Sequence, residues 1–214
     1  MADQQPYGEL ELYVDGEWIG AAGHPGEEVL NPATEAVLAT LPHADAALLD
    51  RAADAAARAF PEWRGKTALQ RSDILRRAAA LLRERADRIA ARMVMDQGKP
   101  LAQAQQEVQA SALIFEWSAE EARRTYGRVI PASIPGVQWT VLKEPVGPVA
   151  AFTPWNFPGI IPARKISSAL AVGCTMVIKP AEETPSTVLE IARALEDAGL
   201  PKGVLNVVHG VPAA

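Results

Sequence analysis

The chain has 214 residues, of which 49% are apolar and 22% are charged, with a net charge of −5. This composition is typical of a globular protein with a sizeable core, arranged as one large domain or two small ones. It lacks the basic stripe that nucleic-acid-binding proteins need. No apolar run is long enough to cross a bilayer, and the polar start "MADQQPYGEL" is unlike a signal or transit peptide.

The number of cysteines indicates which cellular compartment and which metal sites to expect. Cys174 is the only cysteine of the sequence, so there is neither an internal disulfide nor a cysteine/histidine cluster for zinc. We therefore expect no metal and a cytoplasmic location.

The first half of the sequence predicts a hairpin, a turn and three helices. Asp15-Gly16 is a strong signal for a tight hairpin, and Asn31-Pro32 opens a turn before an extended segment from Ala36 to Leu41. Apolar residues then recur at helical spacing in three runs. The predicted helices extend from the cap Asp45 to about Phe60, from about Thr67 to Met93, and from Leu101 to Ala122, with Gly98 and Pro100 between the last two.

The pattern changes after "TYGRVIP". The segment "VQWTVLKEPVGPVA" alternates like a strand or hairpin, which Pro145 and Pro148 confine to a sheet edge. A strand–helix–strand–helix–strand order follows: "VAAF" and "TMVIK" as buried strands, a helix over 162–172, a helix from the cap Thr184 and Pro185 to about 198, and the strand "VLNVV". This order predicts an α/β fold with a parallel sheet, one half of a doubly wound nucleotide-binding fold.

Two unusual motifs follow the first two parallel strands. "TPWNFPG" and "KPAEETP" would lie at the carboxyl ends of the strands, where open α/β sheets bind ligands. The stiff prolines around Asn156 favour a loop that presents one amide, and the alternative is a buried loop packed by its own aromatics. The glycine-rich G-x-G-x-x-G turn is absent, so a dinucleotide would be held in another way.

Several motifs in register resemble the aldehyde dehydrogenase superfamily. These are "FTPWNFPG", "ALAVGCTMVIKPAEETPSTV" and "AGLPKGVLNVVHG", preceded by "VDGEW", "NPAT", "MDQGKPL" and "VLKEPVGPVA". The resemblance covers nearly the whole chain and is strongest to NAD(P)-dependent succinate-semialdehyde dehydrogenases. It implies a hairpin and helical layer of the cofactor-binding domain over 1–125, an oligomerisation hairpin over 126–147, and the first half of the dinucleotide-binding sheet over 148–214.

The resemblance also implies roles in oxidising an aldehyde to its acid. In this family a cysteine thiolate attacks the carbonyl, hydride passes to the nicotinamide, and a glutamate activates water. Asn156 would be the catalytic oxyanion donor, although an asparagine side chain can also simply form hydrogen bonds within its own loop. The implied cofactor-binding residues are Thr153, Pro154, Trp155, Lys179, Pro180, Ala181, Glu182 and Gly210. Glu182 favours NAD over NADP because a carboxylate repels a 2′-phosphate, while a solvated Lys179–Glu182 pair is the alternative.

Arg164, in "PARK", is the candidate substrate-binding residue. The resemblance to succinate-semialdehyde-type members implies that it meets the substrate carboxylate, and a surface salt bridge would explain it equally well. A cation near a helix start opposes the helix dipole, so we expect an anion to compensate it. Cys174 is expected to be a small buried residue rather than a nucleophile, and His24, His43 and His209 are expected to be structural or exposed.

The resemblance implies a protein longer than these 214 residues. The catalytic cysteine and the glutamate base would lie beyond Ala214, so this chain alone is expected to be inactive, and the complete enzyme is expected to be a homo-oligomer. Two hypotheses remain: part of a longer NAD(P)-dependent aldehyde dehydrogenase, or a short non-catalytic binding or assembly module. The reading frame after the Ala214 codon would separate them.

Overall fold

A computed structural model describes residues 7–210. The first residues of the predicted segment 1–125 and the last of 148–214 lie outside the described residues. The strands are β1 (Leu12–Val14), β2 (Glu17–Ile19), β3 (Gly26–Leu30), β4 (Val37–Pro42), β5 (Arg128–Pro131), β6 (Gln138–Val141), β7 (Val149–Phe152), β8 (Met176–Lys179) and β9 (Leu205–Val207). The helices are α1 (Ala46–Gly65), α2 (Ala68–Glu84), α3 (Ala86–Gln97), α4 (Leu101–Ala122), α5 (Ile160–Val172) and α6 (Ser186–Asp197).

The main sheet has the strand order β2-β1-β9-β8-β7. β7, β8 and β9 are parallel, as the alternating strand–helix pattern predicts. The predicted hairpin is confirmed: β1 and β2 pair across Asp15 and Gly16, which both have positive φ, as a two-residue turn of this type requires. β1 also pairs antiparallel to β9, a contact that no local pattern predicts.

Helices cover the two faces of this sheet. Alternate strand residues point to opposite faces; Ile178 and Val207 pack into the large core with α5 and α6, whereas Val14 and Val208 pack with Ala52 of α1. α2, α3 and α4 form a further layer against α5 and α6. On the α1 face, β7 is uncovered in the described part of the chain.

β7 corrects one expectation from the sequence. The segment "VAAF" was expected to be a buried strand, yet only Ala151 is buried and Phe152 is 69% exposed. Within residues 7–210, β7 is an edge strand with one open face, so its apolar sequence did not imply burial on both sides.

The predicted helix from Thr67 to Met93 is two helices. α2 begins at the predicted residue, where Thr67 and Gln70 form a capping box, but it ends at Glu84. α3 starts after Arg85, whose side chain contacts Asp197 of the neighbouring α6. No glycine or proline marks this break, so the sequence prediction was wrong there.

α1 extends further than predicted, through Pro61 to Gly65. Its start is confirmed, because the Asp45 side chain accepts the Leu48 N–H. At its end Trp63 is fully buried and its indole N–H donates to the Leu170 carbonyl at 3.2 Å. This contact with α5 supports the last turn in spite of the proline.

The predicted cap of α6 is also wrong. Thr184 does not cap the helix; its hydroxyl donates to the Trp155 carbonyl at 3.4 Å. The buried Asp96 of α3 instead accepts the Ser186 N–H at 3.1 Å and the Tyr7 hydroxyl at 2.9 Å. Burial raises the pKa of Asp96 to about 6, although these hydrogen bonds oppose the change.

Two separate hairpins complete the described fold. β3 pairs with β4, which confirms the extended segment after Asn31-Pro32 and adds a strand that the sequence analysis did not predict. β5 pairs with β6 inside the predicted hairpin segment 126–147. Val129, Trp139 and Val141 on this second hairpin are exposed.

Candidate functional site

The first element of the candidate site is the loop between β7 and α5, residues 153–159, called here the first junction loop. Thr153 is buried, and its N–H donates to the Lys179 carbonyl at 3.2 Å, which continues the sheet ladder. Trp155, Asn156 and Phe157 are exposed. The alternative of a buried loop packed by its own aromatics is therefore wrong.

The first junction loop is fixed by residues distant in sequence. The Glu107 carboxylate of α4 accepts the N–H groups of Gly159 and Ile160 at 2.8 and 3.2 Å. Lys99, in the turn before α4, pairs with Glu107 and places its ammonium 3.5 Å from the Asn156 carbonyl oxygen. The sequence analysis used neither residue, and its only signal was "MDQGKPL" as part of the family resemblance.

The second element is the loop between β8 and α6, residues 180–185, called here the second junction loop. Lys179 at the end of β8 forms an ion pair with Glu182, and the two side chains are 19% and 17% exposed. The predicted alternative of a freely solvated pair does not describe them. The Thr184–Trp155 hydrogen bond joins the two junction loops.

The third element follows β9. His209 is fully buried, and neither ring nitrogen has a hydrogen-bond partner in the described part of the chain. Burial, with smaller effects from Lys179 and His43, lowers the pKa of His209 to about 3, so the ring is neutral. The position of His209 directly after the third parallel strand was the signal that could have placed it beside the site.

A groove of about 570 Å³ joins these three elements on the α1 face of the sheet. Five of the predicted cofactor-binding residues line it: Thr153, Lys179, Ala181, Glu182 and Gly210. Other walls come from β7 and from Ala44 and Leu49 around the start of α1, which the sequence analysis did not predict. A mostly apolar groove with one donor–acceptor pair at its rim is typical of a site for a small organic ligand.

The other predicted site residues lie outside the groove lining. Pro154, Trp155, Asn156 and Pro180 belong to the junction loops but do not line the groove. Asn156 is exposed, and its side-chain amide takes part in none of the hydrogen bonds among residues 7–210. Within residues 7–210 its amide is therefore unpaired.

Arg164 lies in the second turn of α5 and is exposed. The ion pairs of residues 7–210 do not include Arg164, so the anion expected to compensate it is not a carboxylate of the described chain. The surface salt bridge that was the alternative explanation is absent from that same part of the structure.

Cys174 is buried, as predicted, and its thiol is unpaired. It lies at the amino end of β8, opposite to the junction loops. No three His, Cys, Asp or Glu side chains between residues 7 and 210 gather in a way that could hold a metal ion. None of the helices in that range has the length and apolarity needed to cross a bilayer.

Comparison with known protein families shows which family the chain belongs to. The Aldehyde dehydrogenase family matches residues 18–214. The chain belongs to this family. The α/β fold of this aldehyde dehydrogenase chain thus agrees with the resemblance carried by the junction-loop motifs.

Curated relatives include semialdehyde dehydrogenases. A glutarate-semialdehyde dehydrogenase from Pseudomonas aeruginosa is 46% identical over 200 residues, covering 94% of this chain and 41% of that protein. An NADP(+)-dependent succinate-semialdehyde dehydrogenase from Escherichia coli is 44% identical, covering 95% of this chain and 42% of that protein. The chain spans about two fifths of the length of the curated relatives it matches.

Solved structures share the fold. A succinate-semialdehyde dehydrogenase from Burkholderia pseudomallei superposes with a TM-score of 0.95 at 44% identity, covering 100% of this chain and 45% of that one. The protein PnpE, solved in complex with nicotinamide adenine dinucleotide, has a TM-score of 0.93 at 34% identity, with 97% and 42% covered. Both similarities extend over nearly all of this chain and the first part of a longer fold.

Proposed function

We propose that this chain is the N-terminal, cofactor-binding part of an NAD(P)-dependent aldehyde dehydrogenase that converts a semialdehyde to its carboxylic acid. One observation carries the proposal. Thr153, Lys179 and Gly210, from the ends of three parallel strands, line one groove, and the exposed Asn156 follows Thr153 by three residues in the first junction loop. The proposed cofactor groove and the proposed oxyanion donor both belong to segments at the carboxyl ends of the parallel strands, where α/β sheets bind ligands.

The residues of the groove fit a nucleotide. Lys179 offers an ammonium donor and Glu182 a carboxylate acceptor, already held together at the end of β8, and both can meet ribose hydroxyls. The apolar walls suit a base. When bound, the nicotinamide supplies a hydride acceptor. We propose NAD because of the Glu182 carboxylate; the charge of Lys179 partly offsets that carboxylate, which leaves NADP as the weaker candidate.

Asn156 is proposed as the oxyanion donor. Its amide is exposed between Pro154 and Pro158, and prolines fix φ on both sides of the segment. A donor held before charge develops on the substrate oxygen costs little reorganisation, which is the requirement for stabilising a tetrahedral intermediate.

The semialdehyde specificity rests on Arg164 and on the relatives. The glutarate and succinate semialdehydes named for the relatives carry a carboxylate at the end opposite the aldehyde. Arg164 is an exposed cation two turns or less from the first junction loop. We propose that it binds that distal carboxylate through a charge-assisted hydrogen bond.

The proposal includes a location and an assembly state for the complete enzyme. A lone, unpaired cysteine suits a reducing cytoplasm. The exposed apolar residues of the β5–β6 hairpin, Val129, Trp139 and Val141, suit a contact between subunits, so we propose a homo-oligomer.

The test uses the protein encoded by the longest open reading frame that carries this chain. Its oxidation of succinic semialdehyde with NAD is measured for the natural sequence and for Asn156→Ala. Loss of one oxyanion donor should lower kcat by roughly 10²–10³-fold with little change in NAD affinity.

Gln109→Ala is the matched control, because Gln109 is another exposed amide, on α4 and away from the groove. It should retain the natural kcat. A protein without cofactor-dependent aldehyde oxidation would refute the proposed function. Weakened NAD binding with normal kcat in Asn156→Ala would refute the oxyanion role.

A further inference from the structure

A buried ion pair lies behind the first junction loop, outside the groove. The side chains of Lys99 and Glu107 are 9% and 3% exposed. Charges this deeply buried are costly unless hydrogen bonds satisfy them, so their partners indicate what the pair does.

Glu107 anchors the start of α5. The first N–H groups of a helix need acceptors, and α5 has no side-chain cap of its own. Glu107 Oε1 accepts the N–H groups of Gly159 and Ile160 at 2.8 and 3.2 Å, while its other oxygen meets Lys99. The carboxylate also lies at the positive end of the helix dipole.

Lys99 extends this anchor to the residues around the candidate oxyanion donor. Its ammonium is 3.5 Å from the backbone carbonyl oxygen of Asn156 and 4.9 Å from the centre of the Phe157 ring. One cation thus contacts both residues at the tip of the loop, through a hydrogen bond and a cation–π interaction.

Gly159 permits the loop to lie directly on Glu107. A Cβ atom at this position would lie 2.8 Å from Ser111 Oγ and 3.2 Å from Glu107 Oε1. Ser111 is itself fixed, because its hydroxyl donates to the Glu107 carbonyl at 2.8 Å. The anchor therefore leaves little room for the loop to shift.

We propose that Lys99 and Glu107 are positioning residues that hold the Asn156 amide where it can donate a hydrogen bond to the oxyanion. This inference rests on the proposed function of Asn156. Neither residue touches the groove, so their effect passes through the backbone of residues 156–160.

The decisive experiment is a double-mutant cycle in the protein from the longest reading frame. Lys99→Met should lower kcat by about 10–100-fold, the scale for a small misplacement of a catalytic group, with KM for NAD unchanged. In an Asn156→Ala background, Lys99→Met should change kcat by less than about 2-fold, because the group it positions is gone. Full additivity of the two losses, or a normal kcat in Lys99→Met, would overturn the proposal.

A second variant controls for unfolding of the protein caused by Glu107 losing its lysine partner. Lys99→Met combined with Glu107→Gln removes both charges, and the new amide oxygen can still accept from Gly159 and Ile160. Its kcat should fall as in Lys99→Met. Lys66→Met is the matched control, since Lys66 pairs with Glu62 on α1 instead, and it should keep the natural kcat. A natural kcat in the double variant would contradict the positioning role.

A spectroscopic measurement separates this inference from the proposed function. The NMR order parameter of the Asn156 side-chain amide should fall in Lys99→Met and stay unchanged in Lys66→Met. If Asn156→Ala leaves kcat unchanged, the oxyanion role of Asn156 fails, and this measurement alone decides whether Lys99 fixes the Asn156 amide. An unchanged order parameter in Lys99→Met would then overturn the positioning role.

Discussion

The two junction loops follow neighbouring parallel strands, but one is held by contacts distant in sequence and the other by a local contact. The first depends on Lys99 and Glu107, whose contacts with Asn156 and Gly159 join residues separated by 57 and 52 positions. The second is held by the Lys179–Glu182 pair, three residues apart. The first therefore depends on the helical layer, and the second mostly on itself.

This difference matches what each loop is proposed to do. A single amide that stabilises developing charge must be placed within a fraction of an ångström, so rigid support from packed helices is useful. A lysine and a carboxylate at a groove rim need less precision to meet hydroxyl groups. The Thr184–Trp155 hydrogen bond links the two loops directly.

The largest expected effect concerns stability. Glu107→Ala removes a buried carboxylate, which leaves the Lys99 ammonium without its counter-ion and two N–H groups without an acceptor, so the free energy of unfolding of the chain should fall by about 3 kcal/mol. Glu182→Ala removes the partner in a more accessible pair and should cost about 1 kcal/mol or less. Urea unfolding followed by circular dichroism measures both. Equal losses would mean that the two loops are supported alike.

The next effect concerns the helix that Glu107 anchors. Arg164→Ala in the protein from the longest reading frame should lower kcat/KM for succinic semialdehyde by roughly 10–150-fold, the loss of one charge-assisted hydrogen bond. Butanal, a neutral aldehyde of similar length, serves as the internal control and should be oxidised almost as before. Equal losses for both substrates would exclude a carboxylate-binding role for Arg164.

The smallest effect concerns His209, beside the second junction loop. Its folded-state pKa of about 3 lies below the usual value of 6.5, so the unfolded chain binds more protons between those values. Stability should thus be lost as pH falls: about 1.4 kcal/mol of unfolding free energy between pH 7.5 and 5.5 from this residue. Asp96, whose folded-state pKa is raised to about 6, acts in the opposite direction.

His209→Gln isolates the histidine contribution. Because the variant keeps Asp96, its unfolding free energy should depend on pH differently from that of the natural chain. The difference between the two pH dependences is the contribution of His209. Identical pH dependence in both proteins would show that His209 titrates normally in the folded state.

The sequence by itself determined the parallel strands, the junction motifs and the starts of α1, α2 and α4, because these depend on local patterns. The Asp15-Gly16 turn requires positive φ, and Asp45 and Thr67 cap helices with their own side chains. The order of strands and helices predicted that "TPWNFPG" and "KPAEETP" follow neighbouring parallel strands at one edge of the sheet, and the parallel pairing of β7 with β8 confirms this.

Only the tertiary structure decided how those elements are held. The break at Arg85, the last turn of α1, the Asp96 cap of α6 and the pairing of β1 with β9 all join residues that are far apart in sequence. The anchor of Asn156 is of the same kind: Lys99 and Glu107 carry no local signal of a site, and their role exists only where α4 packs against the start of α5. Local patterns specify backbone conformation, whereas the partner of a buried charge is set by which chain segments the fold brings together.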